Sequence, residues 1–120
     1  MLRTASLALL AVFGLAAAPS TLHVTATAYC LNGKTASGTR TRTGIVAADP
    51  SVLPFGTVLR IVDGPSSGVY TVMDTGPAVK GRRIDIFIPD CGRAQKFGEQ
   101  KLRIRVIRYG WDPKATADNY

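Results

Sequence analysis

The stretch "MDTGPAVKGRRIDIFIPD", Met73 to Asp90, decides how this chain folds. Just upstream, "VYTVMDTG" (69–76) is rich in Val, Tyr and Thr and stops at a glycine. Downstream, "RRIDIFIP" (82–89) sets apolar residues in alternation around a single acid. β-Branched and aromatic enrichment with a period of two marks strands that bury one face. Asp74 then falls at the end of one strand and Asp85 inside the next. An acid within a strand runs against β-propensity, so Asp85 needs a reason to be there.

The flanking sequence repeats the pattern. "TLHVTATAY" (21–29) alternates as a strand and "IVAAD" (45–49) is a short buried one, with the polar, Gly-rich loop "CLNGKTASGTRTRTG" (30–44) between them. "PSVLPFG" (50–56) is a turn with two prolines, and "TVLRIVDG" (57–64) is a strand separated from 69–76 by "GPSSG". "CGRAQKFGEQ" (91–100) has room for one or two helical turns. "KLRIRVIRY" (101–109) is a closing strand, its arginines interleaved with Leu102, Ile104 and Val106. Six short strands and at most one short helix predict a small all-β barrel, which removes the edges a small open sheet would expose. Spacing does not give the strand order.

The ends differ in character. Residues 1–20, "MLRTASLALLAVFGLAAAPS", place Arg3 before an apolar run from Ala5 to Ala18 that closes on small residues. That is the layout of a secretory signal peptide, and the run is shorter than the roughly 20 apolar residues of a membrane-spanning helix. A cleaved leader is therefore expected, with no stable membrane insertion afterwards. The product would be secreted, periplasmic or associated with a cell wall. The remainder holds one domain, 21–110, with a C-terminal tail at 111–120. The formal charge is +7, or +6 without Arg3. An exported basic domain suits an anionic envelope polymer better than nucleic acid, because its cations are dispersed. Cys30 and Cys91 read first as a disulfide in an oxidising compartment, closing a loop of about 60 residues for roughly 3–4 kcal/mol. A reactive thiol at Cys91 is the competing reading.

Asp-Thr-Gly at 74–76 also fits the catalytic turn of an aspartic protease. A protease of that size would need a flap hairpin and a later apolar-Gly-Arg segment, which nothing after Asp74 supplies convincingly. Instead "TATAYC", "TASGT", "GIVAADPSVLPFGT", "MDTGPAVKGRRIDIFIPD" and "FGEQKLRIRVI" resemble, in that order, the 3D domain family, over Thr25 to Ile107. The family is named for three aspartates, and Asp49, Asp74 and Asp85 match them. The resemblance implies a six-stranded double-psi β-barrel, related more distantly to expansins and rare lipoprotein A-type wall proteins. It also implies a lytic transglycosylase acting on peptidoglycan glycan strands, as a monomer and without a cofactor.

On that resemblance Asp85 is the acid/base, Asp74 its perturbing neighbour and Asp49 a third member of the cluster. Crowding and partial burial would raise the acid, which must stay protonated near neutrality. Thr35, Ser37 and Gly38 are candidates to line the groove, and Thr75 and Gly76 to offer a hydroxyl and an amide to sugar. Lys80 would pair with a substrate carboxylate, or be an ordinary turn lysine. Tyr29 would stack on a sugar ring, or fill the barrel core. No metal is required, although three acids can hold a cation. Two departures weigh against catalysis. Pro77 stands where the family often has glycine and lacks an amide. The chain is also too short for the second domain that walls the cleft of the larger transglycosylases. The rival reading is a non-catalytic wall-binding or wall-loosening module.

Overall fold

Six strands and one short helix make up the regular structure of residues 20–111, which a computed structural model describes. The expected leader and the tail from residue 112 lie outside the described residues. The strands are β1 (Ser20–Tyr29), β2 (Ile45–Ala48), β3 (Val58–Ile61), β4 (Gly68–Asp74), β5 (Arg83–Phe87) and β6 (Gln100–Arg108). The helix α1 spans Cys91–Phe97. The strands close into a barrel in the order β1-β5-β2-β4-β3-β6, with β6 returning to β1. β1 runs parallel to β5 and β2 parallel to β4, while the other pairs are antiparallel. Each strand of a parallel pair lies far from its partner in sequence, which is why local spacing left the order open.

Alternation sets which side chains face inward. Val24 and Ala26, Val46 and Ala48, Leu59 and Ile61, Val72, Ile84 and Ile86, and Leu102, Ile104 and Val106 fill the interior. The small Ala26 and Ala48 leave room for the branched side chains opposite, as a narrow barrel requires. β1 and β6 are the longest strands, 10 and 9 residues, each within one residue of the stretch expected. They pair from Ser20↔Val106 to Ala26↔Gln100, and β1 then continues along β5.

Three irregularities bend the wall. The β2–β4 register slips between Val46 and Ala47, where Met73 is the extra residue. The β3–β6 register slips between Val58 and Leu59, where Ile107 is extra. The third lies before β3: the Gly56 amide donates to the Val72 carbonyl (2.7 Å), and the Val72 amide to the Thr57 carbonyl (2.9 Å). That is a bulge with glycine at its first position, and Gly56 has φ +84°, a conformation L side chains resist. The Trp111 ring lies where a Gly56 Cβ would project. The Trp111 amide donates to the Phe55 carbonyl (2.9 Å), so the expected tail is tied to the barrel at its first residue.

Cys30 and Cys91 are bonded, with Cα atoms 5.1 Å apart, which removes the reactive-thiol reading. The bridge fastens the end of β1 to the start of α1. Asp90 caps the helix by accepting from the Arg93 amide (3.0 Å), and Gly98, at φ +61°, ends it. No helix among the described residues is long and apolar enough to cross a membrane.

Candidate active site

Outward-facing residues of four adjacent strands fall in one lateral row. Thr27 of β1 pairs with Asp85 of β5, Asp85 with Ala47 of β2, and Ala47 with Asp74 of β4. Asp85 points out because its neighbours Ile84 and Ile86 point in. Asp74 joins the row only through the Met73 bulge. Val72 faces the core, and without the extra residue Asp74 would share its face. Ala47, 4% exposed, is the spacer between the two acids.

Each acid is held differently. Asp85 is half-buried, and its Oδ1 accepts from the Thr27 hydroxyl (3.0 Å). Burial raises its carboxyl above the ordinary value; the Thr27 bond offsets part of that, and the charge of Asp74 adds to the rise. Asp74 accepts from its own neighbour's amide, Thr75 N–H (2.9 Å), from the Ala36 amide (2.9 Å) and from the Tyr29 hydroxyl (3.2 Å). Burial, then the charge and hydrogen bond of Asp74, push the Tyr29 phenol well above its ordinary range, so it remains a donor. Its ring packs tilted on Phe87, with centroids 5.5 Å apart.

The expected groove loop delivers the Ala36 amide. Thr35 is a buried hub, 5% exposed, whose hydroxyl contacts the Thr39 carbonyl (2.8 Å) and the Ser37 and Thr39 hydroxyls (both 3.0 Å). The Ser37 amide donates to the Met73 carbonyl (3.3 Å), which pins the loop against the bulge. Gly38, at φ +96°, makes the turn, its amide donating to the Thr35 carbonyl (3.0 Å). Thr35 thus builds the site from beneath and does not line it.

Asp49 shares no hydrogen-bond partner with the other two acids. Its Oδ2 accepts from the Gly81 amide (2.8 Å), and its Oδ1 from the Ser51 amide (3.0 Å) and hydroxyl (2.8 Å). The Gly81 bond, then those of Ser51 and, least, the charge of exposed Lys80 pull this carboxyl down to about 2. Asp49 staples the β4–β5 loop to the end of β2. Among the described residues no three His, Cys, Asp or Glu side chains group closely enough to hold a metal ion. Thr75 follows Asp74 at the turn. Its amide is taken by Asp74, and its hydroxyl is buried without a hydrogen-bond partner. The Gly76 carbonyl accepts from the Val79 amide (3.0 Å), closing the turn that carries Pro77. A cleft of about 280 Å³ lies elsewhere, between α1 and the Pro65–Ser66 turn, and none of the three aspartates lines it.

Residues 44–108 match the 3D domain family. The chain belongs to that family. Among its relatives, the Cell wall-binding protein YocH of Bacillus subtilis is 38% identical over 96 residues, covering 72% of this chain. The Putative cell wall shaping protein YabE of the same organism is 30% identical over 95 residues, again covering 72% of this chain. The chain spans only 32% and 23% of the length of those two relatives. The barrel of this 3D domain is similar to MltA of E. coli, at 25% identity and TM-score 0.53, covering 65% of this chain and 28% of that one. It also shares its fold with a Clavibacter michiganensis expansin solved with cellohexaose, at 16% identity and TM-score 0.57, covering 78% and 54%. These likenesses place it in the double-psi class.

The Asp-Thr-Gly turn thus begins one residue across the sheet from an acid on β5 of the same barrel. Thr27, Ala36 and Ala47 went unnoticed in the sequence, since each contributes only a hydroxyl, an amide or a small volume. Thr27 alone left a trace: it precedes Tyr29 by two in "TATAY", which puts both on one strand face.

Proposed function

We propose that this 3D domain is an exported lytic transglycosylase that cleaves the MurNAc-β-1,4-GlcNAc bond of peptidoglycan. The observation carrying the proposal is the outward row Thr27–Asp85–Ala47–Asp74, in which a half-buried, raised carboxyl stands one small residue from a second acid. In the proposed reaction Asp85 donates its proton to the glycosidic oxygen as the bond to the MurNAc anomeric carbon breaks. The C6 hydroxyl of that MurNAc attacks the anomeric carbon and forms the 1,6-anhydro ring. Its proton passes to Asp85, which is thereby restored. One carboxyl serves as acid and then base, and no water is consumed. The intramolecular attack gains from proximity, since nucleophile and electrophile share one sugar. Asp74, held by three donors, stays fixed beside Asp85 and keeps its proton affinity high. Asp49 acts at a distance by holding the β4–β5 loop.

Digestion of purified sacculi with wild-type protein and with Asp85→Asn tests this. Anhydro-ended muropeptides from the wild type alone are expected; equal release by the variant refutes the assignment.

A second reading is favoured by the name of the 38% identical relative, a cell wall-binding protein. As a non-catalytic module, the domain would be retained on sacculi and yield no new ends. Reducing ends in place of anhydro ends would instead mean hydrolysis.

A further inference from the structure

The barrel wall farthest from the acid row carries the opposite charge. In the closed strand order, β6 lies three strands from β2 in either direction. Its outward positions are Lys101, Arg103 and Arg105, all exposed, alternating with buried Leu102, Ile104 and Val106. Beyond the Ile107 bulge, exposed Arg108 extends the series. Exposed Arg60 of β3 sits directly across from Arg105.

Only one of these cations is neutralised by a described acid. Asp63 takes Arg103 through the guanidinium (Nη2–Oδ1 2.8 Å) and also accepts its amide (2.8 Å). Lys101, Arg105, Arg108 and Arg60 form no ion pair with a described carboxylate. Like charges directly opposite one another destabilise a sheet, so Arg60↔Arg105 costs the fold something. Neither side chain fills the core, so packing gives no return for that cost.

We infer that the outer face of β6 and β3 is a docking surface for an extended polymer of phosphodiesters. Alternate residues of a strand lie about 7 Å apart, so Lys101, Arg103 and Arg105 make a straight row, with Arg103 held by Asp63 and the unpaired Lys101 and Arg105 about 14 Å apart. Such a row suits a linear chain with one charge per repeat better than a compact anion. Guanidinium forks, which outnumber the one ammonium, match phosphate oxygens two at a time. A nucleic acid fits poorly along the row, because the outward positions of β3 and β6 carry no Phe, Tyr or Trp to stack on bases, and exposed Tyr109 and Trp111 lie only past its end. This inference is independent of catalysis at Asp85. Asp85 lies on β5, two strands from β6, so a polymer laid along β6 would leave it free.

The test measures binding of the purified protein to poly(glycerol phosphate) across a salt series. The same measurement is made with poly-glutamate, a mixed-sequence oligonucleotide and phosphatidylglycerol vesicles. Arg60→Gln/Arg105→Gln is compared with Arg93→Gln/Lys96→Gln, which removes the same charge from α1. The inference expects binding to poly(glycerol phosphate) that weakens with salt, and a loss of about tenfold in the β3/β6 variant against little change in the α1 variant. The β3/β6 variant should also melt no lower than wild type, since a like-charge pair has gone. Equal losses in both variants would mean diffuse charge and overturn it. So would absence of binding at low salt, or tighter binding to poly-glutamate, oligonucleotide or vesicles.

Discussion

Replacing Asp85 by Asn should make the protein more stable at neutral pH while removing its proposed activity. The Thr27 hydroxyl can donate to an amide oxygen as it does to Asp85 Oδ1, so the hydrogen bond survives the change. What disappears is the cost at pH 7 of either keeping a half-buried charge beside Asp74 or taking up the proton that the proposed acid carries. The two Cα atoms are two strand spacings apart through Ala47, about 10 Å. At that distance, repulsion between unit charges runs from about 0.4 kcal/mol in water to about 1.7 kcal/mol at an effective dielectric of 20. A half-exposed pair belongs in the lower part of that range. With some relief of desolvation, the gain should be about 1 kcal/mol, or roughly 4–8 °C in Tm for a domain of this size. The pH dependence follows from the raised carboxyl. Asp85 binds its proton more tightly folded than unfolded, so its contribution is fully favourable below about 3.8 and is lost as pH rises through the higher native value. The variant's advantage should therefore be present at pH 7 and vanish near pH 3. Thermal unfolding followed by circular dichroism at both values measures this. A variant less stable than wild type at pH 7, or one with the same advantage at pH 3, would refute the electrostatic account of the site.

Tyr29→Phe keeps the contact with Phe87 but removes a donor from Asp74. It should cost about 1 kcal/mol in urea unfolding and reduce muropeptide release without abolishing it. Removing the disulfide by Cys30→Ser/Cys91→Ser frees a loop with a separation of 61 residues. By loop-closure entropy this should lower stability by about 4 kcal/mol, and reductant should have the same effect on wild type in equilibrium unfolding. Gly56→Ala meets both a backbone at φ +84° and the Trp111 ring. It should cost about 1–3 kcal/mol and displace the ring. Because Trp111 is the chain's one tryptophan, a shift in its fluorescence reports the displacement directly.

The strands were legible because their signal is local. Alternation in "RIDIF" and "KLRIRVIR" needs only neighbouring residues, and β5 and β6 form where it predicted them. Cys30 and Cys91 pair as their number and the apparent export suggested. The roles of the polar candidates were less legible. Thr35 and Thr75 carry hydroxyls suited to sugar, yet both are turned inward, one as a loop hub and the other without a partner. A sequence gives a side chain's chemistry; whether that chemistry faces solvent depends on packing from distant segments.

The three aspartates show the division most clearly. The sequence by itself determined that the chain forms a small barrel of alternating strands, that a disulfide is available, and that acids sit at two strand ends and inside a third strand. The tertiary structure decided which acids meet. Parallel pairing of β2 with β4 and antiparallel pairing of β2 with β5 bring residues 74 and 85 to either side of Ala47. One extra residue at Met73 turns Asp74 from the core face to the outer face. The same closure leaves Asp49 binding the Gly81 amide at the end of β2. Register and bulges are set by the fit of whole strands across a closed wall, and a one-residue slip exchanges the two faces. No local pattern contains that information.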